Sequence, residues 1–176
     1  MASAVEIRPL ARDDDRTGLS CGHADLDRFF EHYAGQNQFK LHLAVTYVAV
    51  MAGRIVGFAT VAASSLERDK VPNARQRRRL PGYPLPVLRL ARLGVDTRAQ
   101  GLGIGTALLR HVLGVALEQR DRLGCIGVVT DAKADAVPFY VVLGFAALDG
   151  VREGLLATDP LPMFLGIETI AATSPG

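Results

Sequence analysis

Three glycines between a strand-like run and a helix-like run constrain this chain more than any other feature. Pro86 to Asp96 reads as a buried strand, and Gly103 to Arg120 as a helix with Ile104, Leu108, Val112 and Val115 along one side. Leu93-Gly94-Val95-Asp96-Thr97-Arg98-Ala99-Gln100-Gly101-Leu102-Gly103-Ile104-Gly105 joins them. Glycine permits positive φ and close approach of a ligand to the backbone. The unpaired N–H groups and dipole of a helix start favour an anion. A pyrophosphate suits such a turn. The run lacks the Gly-Lys-Ser/Thr of a P-loop and the acidic residue of a dinucleotide-binding unit. Taken alone, it equally suits a tight strand-to-helix connection.

The rest of the chain alternates in the same way, which predicts an α/β (α+β) class. Val5 to Leu10 is a candidate first strand. Asp25 to Gln38 carries Leu26, Phe29, Phe30 and Tyr33 at helical spacing. Val45 to Met51 and Arg54 to Ala63 are β-rich and joined by Ala52-Gly53 as in a tight hairpin. Residues 64 to 86, with Pro72, Pro81, Pro84 and Pro86, read as a long, partly helical excursion. A strand is expected over Cys125 to Thr130, a short helix around Ala136 to Leu143 and a closing strand over Pro162 to Glu168. If Asp135 caps that short helix, Pro138 falls in its first turn, where a missing N–H costs little. The 176 residues are expected to form one domain, with 170–176 as a frayed tail.

Composition narrows the class of function. Apolar residues make up 49% and charged residues 22%, ordinary for a globular protein. The longest apolar stretch, Leu41 to Ala52, falls short of the ~20 residues of a membrane helix. The opening Met1-Ala2-Ser3-Ala4-Val5-Glu6 has no basic region followed by an apolar block, so a cytoplasmic location is expected. Cys21 and Cys125 stand apart, outside any CxxC pair, and are read as structural thiols, with no metal expected. The net charge of +2 is uneven: residues 68 to 98 hold nine Lys/Arg against Asp69 and Asp96. Such a concentration suits a surface that meets a polyanion, and equally a solvated loop.

Gln100-x-x-Gly103-x-Gly105 matches the pattern Gln/Arg-x-x-Gly-x-Gly/Ala. Ala136-Val137-Pro138-Phe139-Tyr140 with Leu143-Gly144-Phe145 matches Ala-x-x-Phe-Tyr-x-x-x-Gly-Phe. On these two motifs the chain resembles the GNAT superfamily of N-acetyltransferases. The resemblance implies a mixed, mostly antiparallel sheet flanked by helices, with acetyl-coenzyme A as acetyl donor. It assigns the pantetheine arm to Leu93, Gly94 and Val95, and the pyrophosphate to Gln100, Gly101, Leu102, Gly103, Ile104, Gly105 and Thr106. Leu102 stands where relatives often have Arg, which leaves that role to backbone donors.

Cys21-Gly22-x-x-x-Leu26-Asp27-x-Phe29-Phe30, His32-Tyr33-Ala34-x-Gln36-Asn37, Thr46-Tyr47-Val48 and Val56-Gly57-Phe58 narrow the likeness to toxins of the TacT/AtaT type, over about residues 19 to 148. That group acetylates the α-amine of an amino acid charged on tRNA and is held inactive by a ribbon-helix-helix antitoxin. DNA then enters only through the antitoxin. Homodimers are common among relatives, and Met163 to Ile167 is the segment that would contribute. The basic segment offers Arg75, Arg77, Arg78, Arg79 and Arg92 as contacts to tRNA phosphates.

The resemblance places Tyr140 beside the sulfur. A phenol with a reference pKa of about 10 keeps its proton at neutral pH and can give it to the departing thiolate. An α-amine titrates near about 8, so water suffices as proton acceptor. None of His23, His32, His42 or His111 is assigned catalysis. Two other readings share the motifs: acetylation of a small-molecule amine or a protein N-terminus, and a silent binding module that keeps the fold.

Overall fold

The computed structural model describes residues 4–148, 150 and 159–173. The strands are β1 (Val5–Pro9), β2 (Val45–Met51), β3 (Arg54–Leu66), β4 (Leu85–Val95), β5 (Gly127–Ala132), β6 (Ala146–Ala147) and β7 (Leu161–Gly166). The helices are α1 (Ala24–His32), α2 (Ala34–Phe39), α3 (Ala74–Arg79), α4 (Ile104–Arg122), α5 (Val137–Val142) and α6 (Ile167–Thr173). The sheet is mixed and mostly antiparallel, with strand order β1-β2-β3-β4-β5-β7-β6. The chain divides into two compact units, Met1–Ala62 with Leu90–Val112 and Ala63–Arg89 with Leu113–Gly176.

In the first unit β1 runs antiparallel to β2, Val5 opposite Met51 and Pro9 opposite Tyr47. The hairpin from β2 to β3 closes at Ala52 and Gly53, with φ of 51° and 75°, the geometry of a tight turn whose twist matches its strands. Phe30 and Phe58 stack at 4.6 Å within a core that includes Leu10, Cys21, Leu26, Ala34 and Val48. The single helix expected over Asp25 to Gln38 is two. Tyr33 leaves helical geometry at φ −120° and ψ −26°, although its N–H still reaches Phe29 O at 2.8 Å. The bend suits side chains too small for a uniform amphipathic face: Ala34 and Gly35 are buried, and the Arg16 guanidinium lies where a Cβ on Gly35 would stand.

In the second unit β5 pairs antiparallel with β7, Gly127 opposite Gly166 and Ala132 opposite Leu161. Leu66, Val71, Val87, Val129 and Phe164 form its core cluster. The excursion after β3 contains a 3-10 turn at Arg68–Lys70 and helix α3, whose N-cap Asn73 accepts from Gln76 N–H at 3.0 Å. β5 begins two residues later than expected, at Gly127, where the ladder with β7 starts; Ile126 N–H just before it bonds to Pro86 O at 2.9 Å.

Three expectations need correction. The N-cap of α5 is Ala136, with no side-chain cap; Asp135 lies within the preceding 3-10 turn, while Pro138 does fall in the first turn of α5. Residues 167–173 are helical rather than strand or tail, held by the burial of Ile170, and 174–176 lie outside the described residues. On α4 the buried side runs through Ile104, Leu108, Val112 and Ala116; Val115 is half-buried, since the i+4 series continues to residue 116.

Candidate acetyl-coenzyme A turn and buried tyrosine

β4 ends at Val95, and the chain turns sharply through Asp96 into a 3-10 turn at Thr97–Ala99. Asp96 is 2% exposed and accepts from Arg98 N–H at 2.9 Å, from the Arg98 guanidinium at 3.0 and 3.1 Å and from Ser20 N–H at 3.3 Å. These donors, the Arg98 guanidinium first, outweigh burial and hold the carboxyl at about 2. The Gln100 side chain turns back to donate to Val95 O at 3.1 Å and Cys21 O at 3.4 Å.

Beyond Gln100 the backbone is exposed through Gly101, Leu102 and Gly103. Gly101 and Gly103 have φ of 82° and 80°, and a Cβ on either would point into open space. The requirement is therefore conformational rather than steric. The first backbone bond of α4 runs from Ala107 N–H to Gly103 O at 3.0 Å. Ile104, Gly105 and Thr106 precede it, so their N–H groups lie in the first turn, where a helix supplies no acceptor. An exposed glycine backbone leading into a helix of 19 residues is a setting that fits a diphosphate.

Tyr140, on α5 in the second unit, is 4% exposed. Phe139 and Phe145 meet its ring edge-on, each at 5.2 Å. Burial pushes its phenol up to about 12, opposed by a hydrogen bond with the Thr130 side chain. The group is a proton donor at any ordinary pH.

The arginines divide. Arg75, Arg78 and Arg79 on α3 are exposed, whereas Arg77 is half-buried and donates to Val71 O at 2.7 Å. Arg79 stands 3.9 Å from Glu168. Arg92, on β4 in the first unit, lies 4.9 Å over the Phe29 ring and donates to Ala91 O. Both cysteines are buried and unbridged, and burial raises both thiols, Cys21 to about 11.

Sequence reading missed Asp96, Asp27 and Thr130 as partners of the site. Asp96 had a local signal, a carboxylate two residues before Arg98 at a strand end, where Asp commonly caps a turn. Thr130 had none.

Residues 42–147 match the model of the acetyltransferase (GNAT) domain. The chain belongs to the GNAT acetyltransferase family. It is 33% identical over 159 residues to the tRNA-acetylating toxin of Mycobacterium tuberculosis (strain ATCC 25618 / H37Rv), covering 90% of this chain and 89% of that protein. A mutant of KacT superposes with a TM-score of 0.85 at 26% identity, covering 96% of this chain and 98% of that one. AtaT complexed with acetyl-methionyl-tRNAfMet has the same fold, with a TM-score of 0.85 at 23% identity, covering 96% and 98%. This GNAT protein is therefore an N-acetyltransferase that takes its acetyl group from acetyl-coenzyme A. Among the described residues, no helix is long and apolar enough to cross a membrane.

Proposed function

We propose that this GNAT enzyme is a toxin that acetylates the α-amine of an aminoacyl-tRNA and so blocks translation. The observation that carries the reading is the 33% identity to a tRNA-acetylating toxin across 90% of the chain. The diphosphate of acetyl-coenzyme A sits on the Gln100–Thr106 turn, received by the N–H groups of the first turn of α4. Leu93, Gly94 and Val95 bond the pantetheine arm along β4.

The neutral α-amine attacks the thioester carbonyl, forming a C–N bond. An N–H near Val95 receives the developing oxyanion. The C–S bond then breaks, Tyr140 gives its phenolic proton to the thiolate, and water takes the proton leaving the amine. Re-protonation of Tyr140 from solvent closes the cycle. Burial, which raises the phenol to about 12, keeps that proton in place at neutral pH and makes it a weaker acid, so the proton moves as the full thiolate charge develops.

Arg75 and Arg78, exposed on α3, are the best candidates for phosphate contacts. Arg79 shares its charge with Glu168, and Arg92 is stacked on Phe29. Arg77 is committed to Val71 O and is the weakest of the five. The reading includes a ribbon-helix-helix antitoxin as inhibitor, DNA reached only through it, a homodimer, a cytoplasmic location and a single domain.

A cell-free translation reaction supplied with the purified enzyme tests this. Synthesis should stop only when acetyl-coenzyme A is present, and alkaline hydrolysis of the tRNA should release an N-acetyl amino acid detectable by mass spectrometry. Undiminished translation, with acetyl transfer to free amines instead, would move the assignment to a small-molecule or protein N-terminal acetyltransferase.

A further inference from the structure

The Cys21-Gly22-x-x-x-Leu26-Asp27 signature has no part in the chemistry above, yet its residues close around the end of β4. Asp27 Oδ1 accepts from Cys21 N–H at 2.9 Å, which ties the loop before α1 to the first turn of that helix. From this loop, Ser20 O accepts from Thr97 N–H at 2.9 Å and Ser20 N–H donates to Asp96 at 3.3 Å. Cys21 O accepts from the Gln100 amide at 3.4 Å, and the same amide holds Val95 O at 3.1 Å. Asp96 N–H bonds in turn to Val56 O at 2.8 Å. The loop packs closely on Gly94, where a Cβ would stand 3.2 Å from Cys21 Sγ, and 3.0 Å from Phe58 Cε1 of β3.

We infer that the loop Ser20–Gly22, anchored by Asp27 and Asp96, is a brace that presets the turn for the diphosphate of coenzyme A, with Gln100 as its linking side chain. The inference rests on the reading that this turn takes the diphosphate. Backbone donors that must converge on one anion bind it well only if their geometry is fixed beforehand, because ordering an exposed glycine turn on binding costs conformational entropy. Gln100 thus acts as a positioning residue through its side chain, whatever its backbone contributes. The signature serves donor binding rather than acceptor recognition, and the raised Cys21 thiol agrees with a packing role for that side chain.

Binding measurements on the intact protein test the brace without an acceptor. Coenzyme A is titrated by calorimetry and pantetheine, which lacks the diphosphate, by NMR, on the natural protein, Gln100→Leu, Asp27→Ala and the double variant. Each single variant should weaken coenzyme A about tenfold, as expected for the loss of one or two hydrogen bonds, and the double variant little more. Pantetheine binding should fall clearly less than coenzyme A binding, by no more than about threefold, because Gln100 holds Val95 O beside the pantetheine arm while the diphosphate rests on the turn itself. Unchanged coenzyme A affinity in both single variants would overturn the brace, as would parallel loss of pantetheine, which marks general damage. If the natural protein binds coenzyme A no tighter than pantetheine, the diphosphate reading of the turn fails as well. Should Asp27→Ala not fold, Gln100→Leu alone decides the matter.

Discussion

At the scale of the residue, burial decides what Tyr140 can do, and exposure what each arginine can do. Burial holds Tyr140 protonated up to about pH 12, so the sign of its pH effect is fixed: the acid form is present below that value and is lost only above it. The rate of acetyl transfer, followed by thiol release from pH 7 to 10, should therefore show no descending limb. A fall centred near the ordinary phenol value of about 10 would contradict this burial. Among the arginines, Arg75→Ala with Arg78→Ala should raise KM for tRNA. The pair should also reduce the slope of log affinity against log salt by about one for each phosphate no longer neutralised. Arg77→Ala should instead lower the melting temperature with little change in that slope, because its guanidinium holds the backbone at Val71. The three exposed cations and the occupied one are indistinguishable in the run Arg75-Gln76-Arg77-Arg78-Arg79. Exposure is a tertiary property that no spacing within six residues encodes.

At the scale of the element, the parts whose partners are near in sequence were legible. The β2–β3 hairpin, the β4 strand and the α4 helix are each specified by local periodicity and by glycines at the turns, and all three form, with ends within three residues of the expected ones. The elements misjudged depend on distant contacts. The bend at Tyr33 accompanies burial of Ala34 and Gly35 beneath Arg16, and the helix at 167–173 follows from the burial of Ile170. The brace was invisible for the same reason, since it joins residues 20, 21 and 27 to residues 96 to 100. The hairpin offers a test of local energetics. Ala52 is a non-glycine residue at φ 51°, a region that Asn tolerates better than Ala. Ala52→Asn should stabilise the protein by roughly 0.5–1 kcal/mol and raise Tm by roughly 1–4 °C, read by calorimetry. An unchanged or lowered Tm would show that the strain is relieved elsewhere.

At the scale of the whole molecule, the glycine turn after β4 and the loop Ser20–Gly22 lie in the first unit, and Tyr140 and the exposed arginines of α3 lie in the second. The first unit also holds a buried charge that links stability to acidity. Asp96 has a folded-state pKa depressed to about 2, so its contribution is complete above the ordinary carboxylate value and is lost as pH falls through about 2. Asp96→Asn should therefore lower stability at pH 7 and flatten the loss of stability between about pH 4 and pH 2, seen in denaturant midpoints across that range. A parallel displacement of the curve at every pH would contradict the role of its charge. The uneven distribution of charge, nine Lys/Arg within residues 68 to 98 of a chain with net charge +2, was plain in the sequence, but not which of those cations meet solvent.

The central claim is that an aminoacyl-tRNA is the acceptor and Tyr140 the acid. It is tested most directly by transfer of labelled acetyl from acetyl-coenzyme A to a panel of aminoacyl-tRNAs, comparing the natural enzyme with Tyr140→Phe. Label should appear on one or a few charged tRNAs and on no uncharged tRNA, and Tyr140→Phe should lower that rate by about 100-fold or more while leaving coenzyme A affinity unchanged. Absence of label from every charged tRNA in a preparation that binds coenzyme A, or full activity in Tyr140→Phe, would contradict the account.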